Sequence, residues 1–151
     1  MTKEQRRGRK IAMSPEEVDA FLTAERTCRV ATSSPTGPHL TPLWFVWDGT
    51  ALWVSSLVKS QRWTDIERDP QAAVLVDGGH EFRELHGVEL RGRFESVGEI
   101  PRTGIPEPAL ETVELLHARK YTGRDEKHYD GRHGWLRLVP EKITSWDFRK
   151  M

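Results

Sequence analysis

Ser55 and Ser56 close a predicted strand, and Lys59, Ser60, Gln61 and Arg62 open a predicted helix directly after it. A helix start leaves its first N–H groups without intrahelical acceptors and carries the positive end of the helix dipole. Ser60 adds a hydroxyl, and Lys59 and Arg62 add cations. A phosphate or another anion would be held there without any glycine-rich loop. The same residues also suit a capped surface helix with solvated charges, and taken alone they do not separate the two readings.

No other local pattern specifies chemistry as directly. The Gly-x-Ser-x-Gly elbow, the Walker A loop, the His-Glu-x-x-His pair and the dinucleotide glycine fingerprint are all missing. Gly87, Gly92 and Gly98 are too widely spaced for a nucleotide loop and read as close-packing or bulge positions. His39, His80, His86, His117, His128 and His133 show no zinc-ligand spacing and have no pair of cysteines to join them, so no metal is expected. Cys28, the single cysteine, fits a small buried apolar residue better than an activated thiolate.

The elements that must position the Ser55–Arg62 cluster follow from pattern and punctuation. Ser14-Pro15-Glu16-Glu17 is a helix start with a cap, a first-turn proline and a capping-box glutamate, and Val18, Phe21 and Leu22 form its apolar stripe. Arg29–Ser33 reads as a short strand and Pro35–Pro38 as a turn. His39–Trp47 reads as a strand broken at Pro42, which implies an edge or bulge. Asp48-Gly49 is a hairpin signal returning into Ala51–Ser56. Lys59–Asp69 is helical, with Asp69-Pro70 as its stop. Gln71–Asp77, Gly87–Val97 and Gly134–Phe148 supply further strands, the last as one or two. A helix runs from Leu110 to Tyr121. Five or six antiparallel strands with short turns point to a small barrel, because parallel neighbours would need long crossovers.

Composition bounds the function. In 151 residues, 23 basic side chains balance 23 acidic ones, so the excess cation that a general nucleic-acid binder needs is missing. No apolar run approaches the ~18 residues that span a bilayer, and Met1–Lys10 is not followed by the apolar stretch of a secretory signal. With one cysteine and no internal disulfide, a cytoplasmic location is expected, with no membrane or nucleic-acid partner. Residues 1–13 are expected as a basic arm. The six tryptophans against two tyrosines are the compositional oddity.

From about Ser14 to Val97 the chain resembles the pyridoxamine 5′-phosphate oxidase-like, FMN-binding split-barrel superfamily. The carrying residues are Arg29–Thr32, Gly37–Trp44, Lys59–Arg62, Arg68-Asp69-Pro70 and the strand Leu85–Arg93. With the ending Ser145-Trp146-Asp147-Phe148-Arg149-Lys150, it is most similar to the actinobacterial branch that uses the deazaflavin coenzyme F420. The resemblance implies a mainly β fold, a six-stranded antiparallel split β-barrel with flanking helices, over residues 14–151. It also implies a cofactor held at a homodimer interface.

Carried over by residue, the resemblance implies that Arg62 contacts the cofactor phosphate, with Ser56, Ser60 and Gln61 beside it; Ser55 and Lys59, from the strand end and helix start, complete the candidate cofactor-binding set. Thr41, Pro42, Leu43 and Trp44 would lie along the flavin or deazaflavin ring, and Trp146 would approach from near the C-terminus, often from the partner subunit. The basic ring-strand residue and the C-terminal Arg-x-His of true pyridoxamine 5′-phosphate oxidases are missing, which speaks against vitamin B6 oxidation. The implied function is an F420-dependent oxidoreductase moving hydride to a small unsaturated or quinone-like substrate. FMN is the alternative cofactor, and a non-catalytic flavin, F420 or haem binder is the alternative class. His39, His86 and Tyr121 are the candidate proton donors. Lys59 and the arm residues Arg6, Arg7, Arg9 and Lys10 would meet an acidic cofactor tail if the arm folds back.

Overall fold

Ser14 starts the first helix as its neighbours dictate. In the computed structural model, which describes residues 2–151, α1 spans Pro15–Ala24. Ser14 Oγ accepts from the Glu17 N–H at 3.2 Å, and Glu17 Oε1 accepts from the Ser14 N–H at 3.0 Å. Pro15 sits in the first turn, where an N–H would have no intrahelical acceptor. Val18 and Leu22 bury the apolar stripe, and Trp47 Nε1 donates to Asp19 Oδ1 at 2.9 Å, which fixes α1 to the sheet.

Seven strands form one antiparallel sheet: β1 (Thr27–Ser34), β2 (Gly37–Trp44), β3 (Val46–Trp47), β4 (Leu52–Leu57), β5 (Gln71–Gly78), β6 (His86–Val97) and β7 (His133–Asp147). Their order is β2-β1-β5-β6-β7-β4-β3. The helices α2 (Gln61–Arg68) and α3 (Glu111–Thr122) follow β4 and precede β7. This is the mainly β, antiparallel split barrel with flanking helices that the resemblance implies.

The count is seven strands instead of six because the expected His39–Trp47 strand breaks at Phe45. Phe45 is fully buried, and the Tyr121 hydroxyl accepts its N–H at 3.0 Å and lies 2.7 Å from its carbonyl oxygen. A side chain from α3 thus occupies the backbone groups that would otherwise pair. Pro42, the expected break, stays in register opposite Arg29, and Pro38 stays opposite Ser33, on a strand with no neighbour on its far side. α2 starts at Gln61, later than Lys59, because Ser60 is its cap and its Oγ accepts from the Trp63 N–H at 3.1 Å. The C-terminal segment is one strand of 15 residues, with a register shift opposite Arg91/Gly92.

Burial follows the strand period. Cys28, Val30 and Thr32 of β1 and Val88, Leu90 and Phe94 of β6 point inward, while Arg29, Arg91 and Arg93 point out. β4 is buried on both faces. Leu52 and Val54 join the barrel interior, and Trp53 joins a second cluster with Trp135, Leu110 and Val113 beneath α3. Each fully buried Leu or Val contributes about 1.5–3 kcal/mol.

One charged group anchors α3. Buried Arg102 donates to Glu114 through Nε at 2.9 Å and Nη2 at 3.1 Å, and Trp135 Nε1 and the Tyr129 hydroxyl also donate to that carboxylate. Residues of the N-terminal arm run beside β7. The Lys3 N–H donates to the Glu141 carbonyl at 2.7 Å, and Gln5 exchanges two side-chain bonds with the Ser145 backbone. Among the described residues, no helix is long and apolar enough to cross a membrane.

Candidate functional site

The sheet order leaves β2 at one end and β4–β3 at the other, so curling brings two unpaired ends face to face. Arg62, in the first turn of α2, spans that seam. Its Nη1 donates to Ser56 Oγ on β4 at 3.0 Å, and its Nη2 donates to Thr41 Oγ1 on β2 at 2.9 Å. Among the described residues no carboxylate pairs with this half-buried guanidinium. Its Nε is enclosed and has no hydrogen-bond acceptor. Burial pulls the Arg62 pKa below the ordinary guanidinium value. A cation taken out of water without an anion, with one N–H orphaned, is an incomplete arrangement that an anionic ligand would complete.

Behind Arg62 stands an acid that the sequence does not advertise. Asp65 is fully buried and accepts from Thr32 Oγ1 at 2.9 Å and from Gln61 Nε2 at 2.8 Å. His39 Nδ1 lies 3.6 Å from its Oδ2. Burial pushes the Asp65 carboxyl up, but the bonds from Gln61 and Thr32 and the charges of Arg68 and His39 outweigh it and hold the pKa below the usual value. His39 Nδ1 is enclosed without a hydrogen bond, although part of the ring is exposed. His39, Thr41 and Leu43 share one face of β2, so a polar column runs from Asp65 through His39 and Thr41 to Arg62.

Thr41, Ser56, Ser60 and Arg62 therefore come together, with Ser60 Oγ 3.4 Å from Ser56 Oγ. Lys59 is exposed beside them in the turn before α2. Leu43 packs against the barrel core. The Gln61 side chain turns back to Asp65 instead of facing the seam. Ser55 lies on the other face of β4 and lines a separate cavity under α3. Pro42 and Trp44 point outward from β2. Trp44 is 51% exposed and stacks on Tyr121 with centroids 4.2 Å apart and planes 9° apart.

Trp146 is half-buried at the β6–β7 pair, opposite Gly87, where an added Cβ would lie 2.7 Å from Trp146 Cζ2. No hydrogen bond or ring contact among the described residues joins it to the Arg62 cluster. The arm is equally separate. Arg9 pairs with Glu4, and the arm's backbone contacts run to β7.

The proton-donor candidates differ sharply. Burial pushes the Tyr121 hydroxyl up to about 12, and it is committed to the backbones of Arg26 and Phe45. His86 Nδ1 lies 2.6 Å from the Glu84 carbonyl oxygen, and its ring meets Phe21 edge-on. His39 alone stands in the seam column. Asp65 and Thr32 are the residues of this candidate site that sequence reasoning missed. The one signal for Asp65 was Gln61 four residues earlier, on the same helix face.

A curled antiparallel sheet left open along one seam, with a capped cationic helix start at that seam, defines a split β-barrel. The family model described as pyridoxamine 5′-phosphate oxidase matches residues 14–147, and the chain belongs to that family. A crystal structure of the conserved hypothetical protein Rv2991 from Mycobacterium tuberculosis is 32% identical, with a TM-score of 0.78 over 98% of this chain and 92% of that one. An F420 reductase is 23% identical, with a TM-score of 0.61 over 83% and 94% of the two chains. A FAD-binding protein from Mesorhizobium loti is 19% identical, with a TM-score of 0.64 over 89% and 93%. These last two likenesses concern the fold. No curated protein matches the chain significantly.

Proposed function

We propose that this chain binds F420 and works as an oxidoreductase, moving hydride between the reduced deazaflavin and a small unsaturated or quinone-like substrate. The observation that carries the reading is Arg62, a half-buried cation without a carboxylate partner, fixed by Thr41 and Ser56 at the start of α2. A cofactor phosphate would sit against that guanidinium and the free N–H groups of the helix start, with Lys59 exposed nearby for a longer acidic tail. When bound, the deazaflavin supplies the hydride chemistry, which is why no nucleophile or triad is needed. The protein's own residues hold the phosphate and line the ring with β2. His39, partly exposed and with Asp65 3.6 Å behind its Nδ1, is the candidate proton donor on that face.

The reading includes a homodimer. Trp146 lies apart from Arg62 within one chain, so its approach to the cofactor requires a second copy. The outward row Leu40 and Trp44 on β2, 64% and 51% exposed, is the apolar surface such a copy would cover. FMN is the second reading, because a single guanidinium suits a short phosphate tail as well as a long acidic one.

Fluorescence titration with F420, in parallel with FMN, tests the proposal. Saturable F420 binding at micromolar concentration, tighter than FMN, is expected. FMN binding alone moves the chain to the flavin reading, and failure of both cofactors to bind would falsify the function.

A further inference from the structure

One row of side chains crosses the outer face of the sheet from the N-terminal arm to β1. Lys3 bridges to Lys142 of β7, and Lys142 stands opposite Arg91 of β6. Arg91 stands opposite Ala73 of β5, and Ala73 opposite Ala31 of β1. The chain neighbours Val30, Val74, Leu90 and Ile143 belong to the core, so strand alternation turns this row outward. The row lines a trough of about 500 Å³, within the ~300–1,000 Å³ range of small-molecule sites.

Three cations on three successive segments are an arrangement that a sheet ordinarily avoids, because like charges directly opposite one another destabilise the pairing. Among the described residues no carboxylate relieves them by an ion pair. Glu141, the extra residue at the register shift beside Lys142, is the one carboxylate of the lining, and it pairs with none of the three. The trough therefore keeps an excess of positive charge. Elsewhere on the same face the arginines are matched: Arg29 with Asp77 at 3.1 Å, and Arg137 with Glu95.

The shape of the charge narrows the ligand. Segments about 4.8 Å apart spread the three cations in a line roughly 10 Å long. A single phosphate meets part of such a line, whereas linked phosphates carry anionic oxygens along it. Arg91 offers a fork for two phosphate oxygens, and Lys3 and Lys142 offer point charges. The matched pairs on the same face confine the positive field to this row, which suits a small molecule better than an extended nucleic acid. Ala73 and Ala31 continue the row as a shallow uncharged floor where an attached ring would have room.

We infer that the Lys3–Lys142–Arg91 row binds a chain of linked phosphates, as in inorganic tripolyphosphate or the tail of a nucleoside triphosphate. This site is separate from the seam. Thr41, which holds Arg62, pairs with inward-facing Val30, while the row ends at outward-facing Ala31. The inference does not depend on the function proposed above.

Isothermal titration with tripolyphosphate and with ATP, free of divalent metal, tests the site in the wild type and in Arg62→Ala, which lacks the seam cation. Saturable binding of tripolyphosphate is expected in both proteins. ATP binding tighter than tripolyphosphate assigns the alanine floor to the nucleoside, and equal affinity assigns the phosphate chain alone. Arg91→Gln with Lys142→Gln should weaken binding about 10-fold or more, and neither side chain has an ion-pair partner to lose. Arg83→Gln with Arg124→Gln removes the same charge from exposed positions outside the trough and should leave the affinity unchanged.

Absence of saturable binding in the wild type overturns the inference. So does an equal loss in the Arg83 and Arg124 control, which would reduce the effect to net charge. Loss of binding in folded Arg62→Ala would place the phosphates in the seam and overturns it as well. If Arg62→Ala does not fold, the wild type compared with the two double variants decides. Tripolyphosphate binding that persists while neither F420 nor FMN binds supports the row and removes the proposed function.

Discussion

Arg62 and Thr41 meet across the gap between two strand ends that share no backbone ladder, with Nη2 donating to Oγ1 at 2.9 Å. The same guanidinium holds Ser56 on the opposite side at 3.0 Å. One side chain therefore bridges the seam, and in the proposed function it is also the group that would meet the cofactor phosphate.

Arg62→Ala should weaken F420 or FMN binding by about 1.5–3 kcal/mol, the range for a charge-assisted hydrogen bond. Arg62→Lys keeps the charge but loses the fork that reaches both hydroxyls, so its affinity should fall between the two. Fluorescence titration measures both variants. An unchanged affinity in Arg62→Ala would place the anion site elsewhere.

Much of this site was legible because its parts are local. Ser60, Gln61 and Arg62 follow one another, and a helix start announces itself through its cap. The capping box of α1 and the edge character of β2 were readable for the same reason. The break at Phe45 was not, because its cause is Tyr121, a residue 76 positions away. Asp65 was hidden for a similar reason. A carboxylate four residues after Gln61 looks solvent-facing until curling of the sheet brings Thr32 and His39 over it. The separation of Trp146 from Arg62 is likewise set by strand order, which no local pattern encodes.

Glu114 gives the fold a pH dependence. Burial pushes this carboxyl up, but the bonds from Arg102 and Trp135 outweigh it and hold the pKa below the usual glutamate value. A folded-state pKa below the unfolded one stabilises the protein above the unfolded value, ~4.3, and that contribution is lost as pH falls through the folded one. Glu114→Gln should cost about 3 kcal/mol at pH 7, by removing the buried bidentate partner of Arg102 and leaving Glu99, 2.8 Å from Nη1, as its one counter-charge. Urea denaturation across a pH series should show the gap to wild type constant from about pH 6 to 8 and narrowing below about pH 4.

Gly87 is the position where a single methyl group would be felt most directly at Trp146. An added Cβ would lie 2.7 Å from Trp146 Cζ2 and 3.0 Å from Asp77 Cβ. Gly87→Ala should destabilise the fold by about 1–3 kcal/mol through overpacking and shift tryptophan emission as the ring moves. In the dimeric reading it should also weaken cofactor binding with Arg62 intact. Thermal denaturation and the cofactor titration report the two effects separately.

Cys28 should be chemically silent in the native protein. Burial drives its thiol up to about 12, against the opposing pull of the Arg62 charge. Iodoacetamide at pH 8 should leave the folded chain unlabelled and alkylate the single cysteine in urea. Mass spectrometry distinguishes the outcomes, and rapid native labelling would show that the barrel interior opens.

Pro38 and Pro42 constrain how a second copy could meet β2 in the proposed dimer. Both lie on the outermost strand and share the parity of Leu40 and Trp44, opposite Ser33 and Arg29 of β1. A proline is compatible with that pairing where the missing amide would have pointed away from the neighbour, so two of the four outward donors along this rim are absent. A foreign strand cannot zip onto such a margin, which protects an exposed apolar strand from fibre-like stacking. In the proposed dimer, association through β2 would then use side-chain faces, and it closes as a pair where the same patch on each copy meets itself.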